Sequence, residues 1–594
     1  MIATMKNTLI RRSLSLPVAL VAAALFTAAC SSDSEPPPAA GPVAGSGDAA
    51  FADLEKAIIR ENNVRNPSSA TDLGFHEFDD QLEDASEAGM HAELAAINQF
   101  HDQLQAIEPA TLTPERALDR EFLILAMKDA ALSIDTIRMW QKDPDVYSSG
   151  ITNAAYAIMK RDYAPADVRL KAVVAREKKM PAVLMEARKN LQAPVTIYTQ
   201  IAIEQIDGNI SLLKNDLPAA FSDVKDAALL AEFKQANDAV IAALGDYKTY
   251  LKKTVLPASK PEFAFGAQTW SKAFAAQEMV DLPIDKLLAI AEADLAKNEA
   301  AFQALAHEID PKKNADQVLQ AIEAKHPKAQ ELLATTQATL DSIRQYIVDH
   351  HILTIPAGEP AKVIETPPFM RSTTSASMDT PGPFEKAQLG GFYNMTLPDA
   401  HASAAEKADF MRQWYYAGIS NVSVHEVYPG HYTQFLYAKQ FPSDARKVFG
   451  SATNVEGWAH YCEQMMLDEG FHADDPSYRL AQLQDALLRD VRFIVGIKMH
   501  TQGMTVAEAT KLFETAGHQP HPIAVSEAKR GTADALYGYY TLGKLMILKL
   551  RDDYKAKMGA AYTLQGFHDA FIKLGPLPLP LIRRAMLGEE GSIL

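Results

Sequence analysis

The chain has 594 residues, 47% of them apolar, enough for its fold to rest on a large buried core. Its 58 basic and 75 acidic residues give a formal net charge of −17. Such a surface repels phosphate backbones, and no basic stripe interrupts it, so nucleic acid is not an expected partner.

At the amino terminus Lys6, Arg11 and Arg12 precede the apolar run LPVALVAAALF, which ends in TAAC. A basic start, a short apolar stretch and small residues before a cut site make a secretory leader over residues 1–29, too short to span a bilayer comfortably. Ala28-Ala29-Cys30 fits a lipoprotein cleavage box with Cys30 as the lipidated first residue, although Thr27 stands where Leu is commoner. The rival reading is an ordinary leader cut near Ala29. The lipid anchor is preferred because residues 30–50 continue as a polar Pro/Gly/Ser tether. Ser31 after the cysteine points to the outer membrane, with the protein facing the periplasm. Losing the leader's three basic residues takes the mature chain to −20. With Cys30 acylated, Cys462 has no disulfide partner and reads as a small buried residue.

Residues 51–260 read as successive amphipathic helices, with breaks at Pro67, Pro109, Pro144, Pro165, Pro194 and Pro218. A second helical part, 261–594, opens with a long helix whose stripe is Leu288, Ala291, Leu295, Phe302 and Leu305. The two parts are expected to form one cleft. Between Ile355 and Pro398 the texture turns rich in Pro, Gly, Ser and Thr. Phe392 to Leu397 is its most strand-like piece, expected as an edge strand that holds a peptide by β-addition, with Tyr393 as a substrate contact; an ordinary connecting loop is the rival reading.

The stretch SVHEVYPGHYTQ, Ser423 to Gln434, carries the chemistry. In the pattern H-E-x-x-H the two histidines share a helical face and grip zinc, while the Glu reaches the attacking water. Here His431 follows His425 two residues late, which in a continuous helix rotates it by about 240°. Pro429 offers no N–H to the His425 carbonyl, and Gly430 tolerates unusual backbone angles. A bulge that absorbs two residues returns His431 to the His425 face. Catalytic zinc needs a third protein ligand. In NVEGWAHYCEQMM, Glu456, His460 and Glu463 lie at i, i+4 and i+7. Glu456 is assigned as ligand, with His460 and Glu463 orienting the ligands; His460 as ligand is the rival. The pairs His76-Glu77 and His307-Glu308 lack a second His four to seven residues on and read as ordinary surface or core residues.

Farther on, Arg492 and His500 stand roughly 80° apart on one helix and can look into the same cleft. Arg530 and the tyrosines Tyr537, Tyr539 and Tyr540 follow, at least two of the tyrosines as packing residues. Glu426 is read as general base, Tyr540 and His500 as oxyanion donors, and Arg492 as a bidentate holder of a substrate carboxylate.

HEVYPGH with EGWAHYCEQ resembles the bacterial domain of unknown function 885 family, viewed as zincin-like metallopeptidases. NPSSATDLGFHEFDD (66–80), RFIVGIKMHTQGMTVAEA (492–509) and ADALYGYYTLGK (533–544) extend the resemblance over most of the mature chain. Thr532, Ala533 and Asp534 stand where that family often has Pro-Gly-Gln. The resemblance implies a mainly α, large multi-helix zincin-like fold with a substrate cleft and a small β element near the zinc helix. The expected function is zinc-dependent hydrolysis of peptides. Another zinc amidohydrolase acting on cell-wall peptides and a non-catalytic peptide-binding lipoprotein are the alternatives.

Overall fold

The computed structural model describes residues 43–594, apart from 359, 367–370, 372–373, 388–389, 400–401 and 589–590. The leader, Cys30 and most of the tether lie outside the described residues. Among those described, no helix is long and apolar enough to cross a membrane.

Helices dominate, and prolines set many of their starts. Pro67 opens the helix Pro67–Leu73, while Pro144 and Pro165 precede Asp145–Met159 and Ala166–Glu177. A first proline needs no N–H partner, so it begins a helix without loss. Helices Asp145–Met159, Ala166–Glu177, Met180–Asn190, Thr196–Ser211 and Ala227–Tyr250 enclose one apolar core, between Ala85 and Val255. A larger core runs through the second part of the chain and takes Phe122 and Ile137 from the first.

Two 26-residue helices, Ile284–Ile309 and Pro476–Thr501, pack against each other beside the site. The stripe expected on the first is turned: Leu287, Ala291 and Phe302 are buried, and so are Asp294 and Asn298. These polar groups are tolerated inside because each is bonded. Lys544 donates to Asp294 at 3.0 Å, and Asn298 donates to Asp490 at 2.7 Å. Helices Ala452–Asp468 and Tyr539–Met558 cross at Gly457 and Gly543. A Cβ on Gly543 would lie 2.1 Å from the Thr453 carbonyl, so the backbones touch with no side chain between them.

The segment between Ile355 and Pro398 forms a small sheet of β1 (Lys362–Glu365), β2 (Ala376–Asp379) and β3 (Phe392–Met395), in the order β1-β3-β2. The expected edge strand is therefore the central one. β3 pairs in parallel with β1 and antiparallel with β2, with Tyr393 opposite both Val363 and Met378. The outer side of β1 meets the helix Leu332–Asp349, where Gln337 accepts from the Val363 N–H at 3.0 Å. The edge that faces the site belongs to β2.

The stretch 66–80 braces the loop after β2. Phe384 N–H donates to the Leu73 carbonyl at 3.0 Å. His76 bridges Asp79 (3.1 Å) and Glu385 (2.8 Å) while stacking on Tyr163, so it is more than the ordinary surface or core residue expected. Burial opposes a charge there, yet the two carboxylates outweigh it and raise the imidazole.

Glu177 is fully buried in the first core, and neither carboxylate oxygen has a hydrogen-bond partner among the described residues. Burial pushes it up to about 8 from an ordinary 4.5. The unfolded chain ionises first, so folding stability falls as pH rises from about 4.5 to about 8. Thermal melts across that range are expected to show Glu177→Gln with a higher Tm than the parent at pH 8 and a flatter pH profile.

Candidate metal centre

The helix Tyr416–Glu426 ends one residue after His425, and a second helix, His431–Ala438, begins at the other histidine. The sequence reading placed a bulge inside one helix; the structure has a break between two. With Pro429 lacking an N–H, the chain turns: Val427 and Tyr428 both donate to the Ser423 carbonyl, and Gly430 reaches back to the Val424 carbonyl at 3.1 Å. Gly430 has φ −69° and ψ −133°, and the space beside it admits no side chain. A Cβ there would sit 1.9 Å from the His425 carbonyl oxygen. Trp458 latches the turn by donating to the Pro429 carbonyl at 2.9 Å.

This turn brings His431 back to His425, their rings nearly perpendicular with centroids 4.8 Å apart. Glu456 completes the cluster from the helix Ala452–Asp468. Its Oε2 is 3.3 Å from His425 Nε2 and 3.4 Å from His431 Nε2. Ligand atoms of the three residues all lie within 4.8 Å of one another, and all three residues are buried. Among the described residues Glu456 Oε2 makes no hydrogen bond of good geometry, the two imidazoles standing at 3.3 and 3.4 Å, a costly state for a buried carboxylate unless a cation sits there. His2Glu is a donor set that suits zinc. Burial works against ionising Glu456, but His431 and His425 hold it well below the usual carboxylate range.

Behind the cluster, His425 Nδ1 meets Glu463 Oε1 at 2.7 Å. That bond puts a proton on Nδ1, so Nε2 is the nitrogen that would meet an ion held between Glu456 and His431. Burial lowers His425, yet Glu456 and Glu463 outweigh it and raise the imidazole to about 9, a measure of how strongly the pocket attracts positive charge. His460 contributes Nδ1 to Glu463 Oε2 at 3.2 Å rather than joining the cluster. Burial and the Lys544 charge hold it neutral, at about 3. Glu426 is anchored by the Met378 N–H of β2, 3.2 Å from its Oε2. Tyr393, expected to touch substrate, is fully enclosed near Glu426, and burial first and the Glu426 charge second raise its phenol.

This chain belongs to the family described as bacterial protein of unknown function (DUF885). The family model matches residues 67–586. A solved structure described as a candidate lipoprotein of unknown function from Shewanella oneidensis is 26% identical, with a TM-score of 0.77 over 90% of this chain and 99% of that one. A second, described as a candidate lipoprotein from Colwellia psychrerythraea, is 16% identical, with a TM-score of 0.78 over 91% of this chain and 99% of that one, and shows the fold alone. Among curated proteins none matches the chain.

In this DUF885 protein the remaining expected site residues separate into two groups. Tyr540 lies beside the cluster, its ring 6.3 Å from that of His425. Burial and the Glu456 charge raise its phenol, which keeps it a donor. His500 does not face the cluster's chemistry: its Nδ1 accepts from the Phe265 N–H at 3.2 Å and its Nε2–H donates to the Gly531 carbonyl at 2.8 Å. Both ring nitrogens are consumed, which corrects its assignment as an oxyanion donor. Arg492 is likewise committed, with two bonds of 2.7 Å to Glu527. Arg489 was missed by sequence reasoning; it donates to Glu463 at 2.9 Å, and its spacing with Asp485 and Arg492 at i, i+4 and i+7 is the signal available for it. Cys462 is fully buried, and burial pushes its thiol well up, as suits a packing residue.

Gly430→Ala is expected to push the His425 carbonyl aside and separate the two histidines. Metal titration should show a zinc affinity lowered by at least about 10-fold, together with a lower Tm, since a clash under 3 Å cannot relax without moving the turn.

Proposed function

We propose that this DUF885 protein is a zinc-dependent peptidase, anchored through acylated Cys30 to the outer membrane and facing the periplasm. The observation that carries the reading is the buried cluster of His425, His431 and Glu456, with Glu463 on the far nitrogen of His425 and Glu426 next to His425 in the chain. Those three residues would hold the ion. Zinc, when bound, supplies Lewis acidity and makes a water nucleophilic near neutral pH.

The chain's own groups supply the rest. The Met378 N–H holds one oxygen of Glu426, and the carboxylate is then set to take the proton of the attacking water and pass it to the leaving amine. Tyr540 donates its hydroxyl to the carbonyl oxygen as negative charge develops there. β2 offers the edge along which an extended peptide can lie, since the Met378 N–H turns toward Glu426 and away from β3. Glu426 itself favours an enzyme over a purely binding lipoprotein, because a site that only holds metal needs no base.

Purified protein is expected to carry about one zinc per chain, lost in Glu456→Ala and kept in His460→Ala. Glu426→Gln should keep zinc and Tm while peptide turnover falls by about 10² to 10⁴. Undiminished hydrolysis in that variant would remove Glu426 from the role of base. The anchor is checked by fatty-acid labelling, which Cys30→Ser should abolish.

A further inference from the structure

Three guanidinium groups crowd the Tyr540 ring: Arg489, Arg492 and Arg530 lie 5.7, 5.1 and 5.9 Å from its centroid. Two of them are occupied inside the protein, Arg489 by Glu463 and Arg492 by both oxygens of Glu527. Arg530 differs. Its side chain is 36% exposed, against 10% for each of the other two. Among the described residues its hydrogen bonds leave from Nη2, to Asp534 (3.1 Å), the Tyr539 hydroxyl (3.2 Å) and the Tyr540 hydroxyl (3.4 Å). Nε and Nη1 make none of these bonds, and on this partly exposed side chain they remain as donors of a planar, permanently charged group, the shape that suits a carboxylate. The Tyr537 ring, 5.7 Å from the guanidinium, helps to fix its orientation.

We propose that Arg530 receives the free C-terminal carboxylate of the substrate, which makes the enzyme an exopeptidase working from the carboxyl end. This rests on the peptidase reading above, and it moves to Arg530 the role that the sequence suggested for Arg492, whose guanidinium Glu527 already fills. Tyr540 joins the two ends of the site: its hydroxyl accepts from Arg530, and its ring is 6.3 Å from that of His425. With the guanidinium 5.9 Å and the His425 ring 6.3 Å from the same ring, the two lie no more than about 12 Å apart, and once the carboxylate's own contact of about 3 Å with the guanidinium is taken off, one to three extended residues at about 3.3–3.6 Å each reach the cluster. A terminal carboxylate seated on Arg530 thus sets which peptide bond meets Glu426. Asp534 remains on Nη2 and keeps the empty guanidinium paired, so an internal stretch of peptide, which brings no charge, gains little by entering.

The test uses the zinc-loaded full chain and three versions of one short peptide: free acid, C-terminal amide, and N-acetylated free acid. Both acids are expected to lose one to three residues from the carboxyl end. The amide should show a kcat/KM lower by about 10- to 100-fold, the usual effect of losing hydrogen bonds to a charged group. Arg530→Met should erase the difference between acid and amide while zinc content stays that of the parent. Equal cleavage of acid and amide by the parent would overturn the proposal and leave the peptidase reading standing. So would cleavage that requires a free amino terminus, or an acid preference lost in Arg492→Met and kept in Arg530→Met. No cleavage of any peptide by zinc-loaded protein would remove the peptidase reading and this proposal with it. Should Arg530→Met fail to fold, the parent's acid-to-amide ratio decides alone.

Discussion

Groups from three helices converge on the Glu463 carboxylate, and the site depends on that convergence. His425 and His460 each bring Nδ1, Arg489 brings its guanidinium, and Asn421 brings an amide at 3.4 Å. A buried carboxylate is tolerable only with such company. Burial alone would raise Glu463, but Arg489 and His460 hold it well below its ordinary range. The charge then fixes the tautomer and tilt of His425, and it ties the helices Tyr416–Glu426, Ala452–Asp468 and Pro476–Thr501 together. Asp485 extends the arrangement, accepting from Asn421 at 2.5 Å.

A second network lies deeper and plays a different part. Asp490 accepts from Asn298 and from the Thr541 hydroxyl at 2.7 Å each, while Lys544 neutralises Asp294. These bonds join the long helix Ile284–Ile309 to the helices that carry Arg492 and Tyr540. They show why helical periodicity alone mistook the inner face of that helix: hydropathy treats Asp294 and Asn298 as solvent-facing, whereas Lys544 and Asp490, which meet them inside, lie 250 and 192 positions away in the chain.

What the sequence made legible follows the range of each interaction. The spacing of His425, Glu426 and His431, and of Glu456, His460 and Glu463, is local, and helical geometry alone sorts these residues onto faces. The break at Pro429 and Gly430 was visible for the same reason, though its form was not, since a bulge and a helix end share the same residues. Strand order is non-local, so Phe392 to Met395 could be recognised as a strand without its central place in the sheet. The role of His500 failed similarly: the helix gives its direction but says nothing of the Phe265 backbone that closes over it. Arg492 looked open because its partner, Glu527, sits 35 residues on in another helix. His76 offered only Asp79, three residues on, as a local clue, since its second carboxylate lies 309 positions away.

The crossing at Gly457 and Gly543 has a mechanical consequence. Glu456 immediately precedes one glycine, and Tyr540 lies three residues before the other. The distance between the carboxylate and the phenol is therefore gauged by main chain pressed on main chain. Side chains elsewhere in the core can be exchanged, and loops can lengthen, without altering that gauge. Lineages descended from a common ancestor could thus diverge widely in their packing residues while the ligand and the hydroxyl keep step.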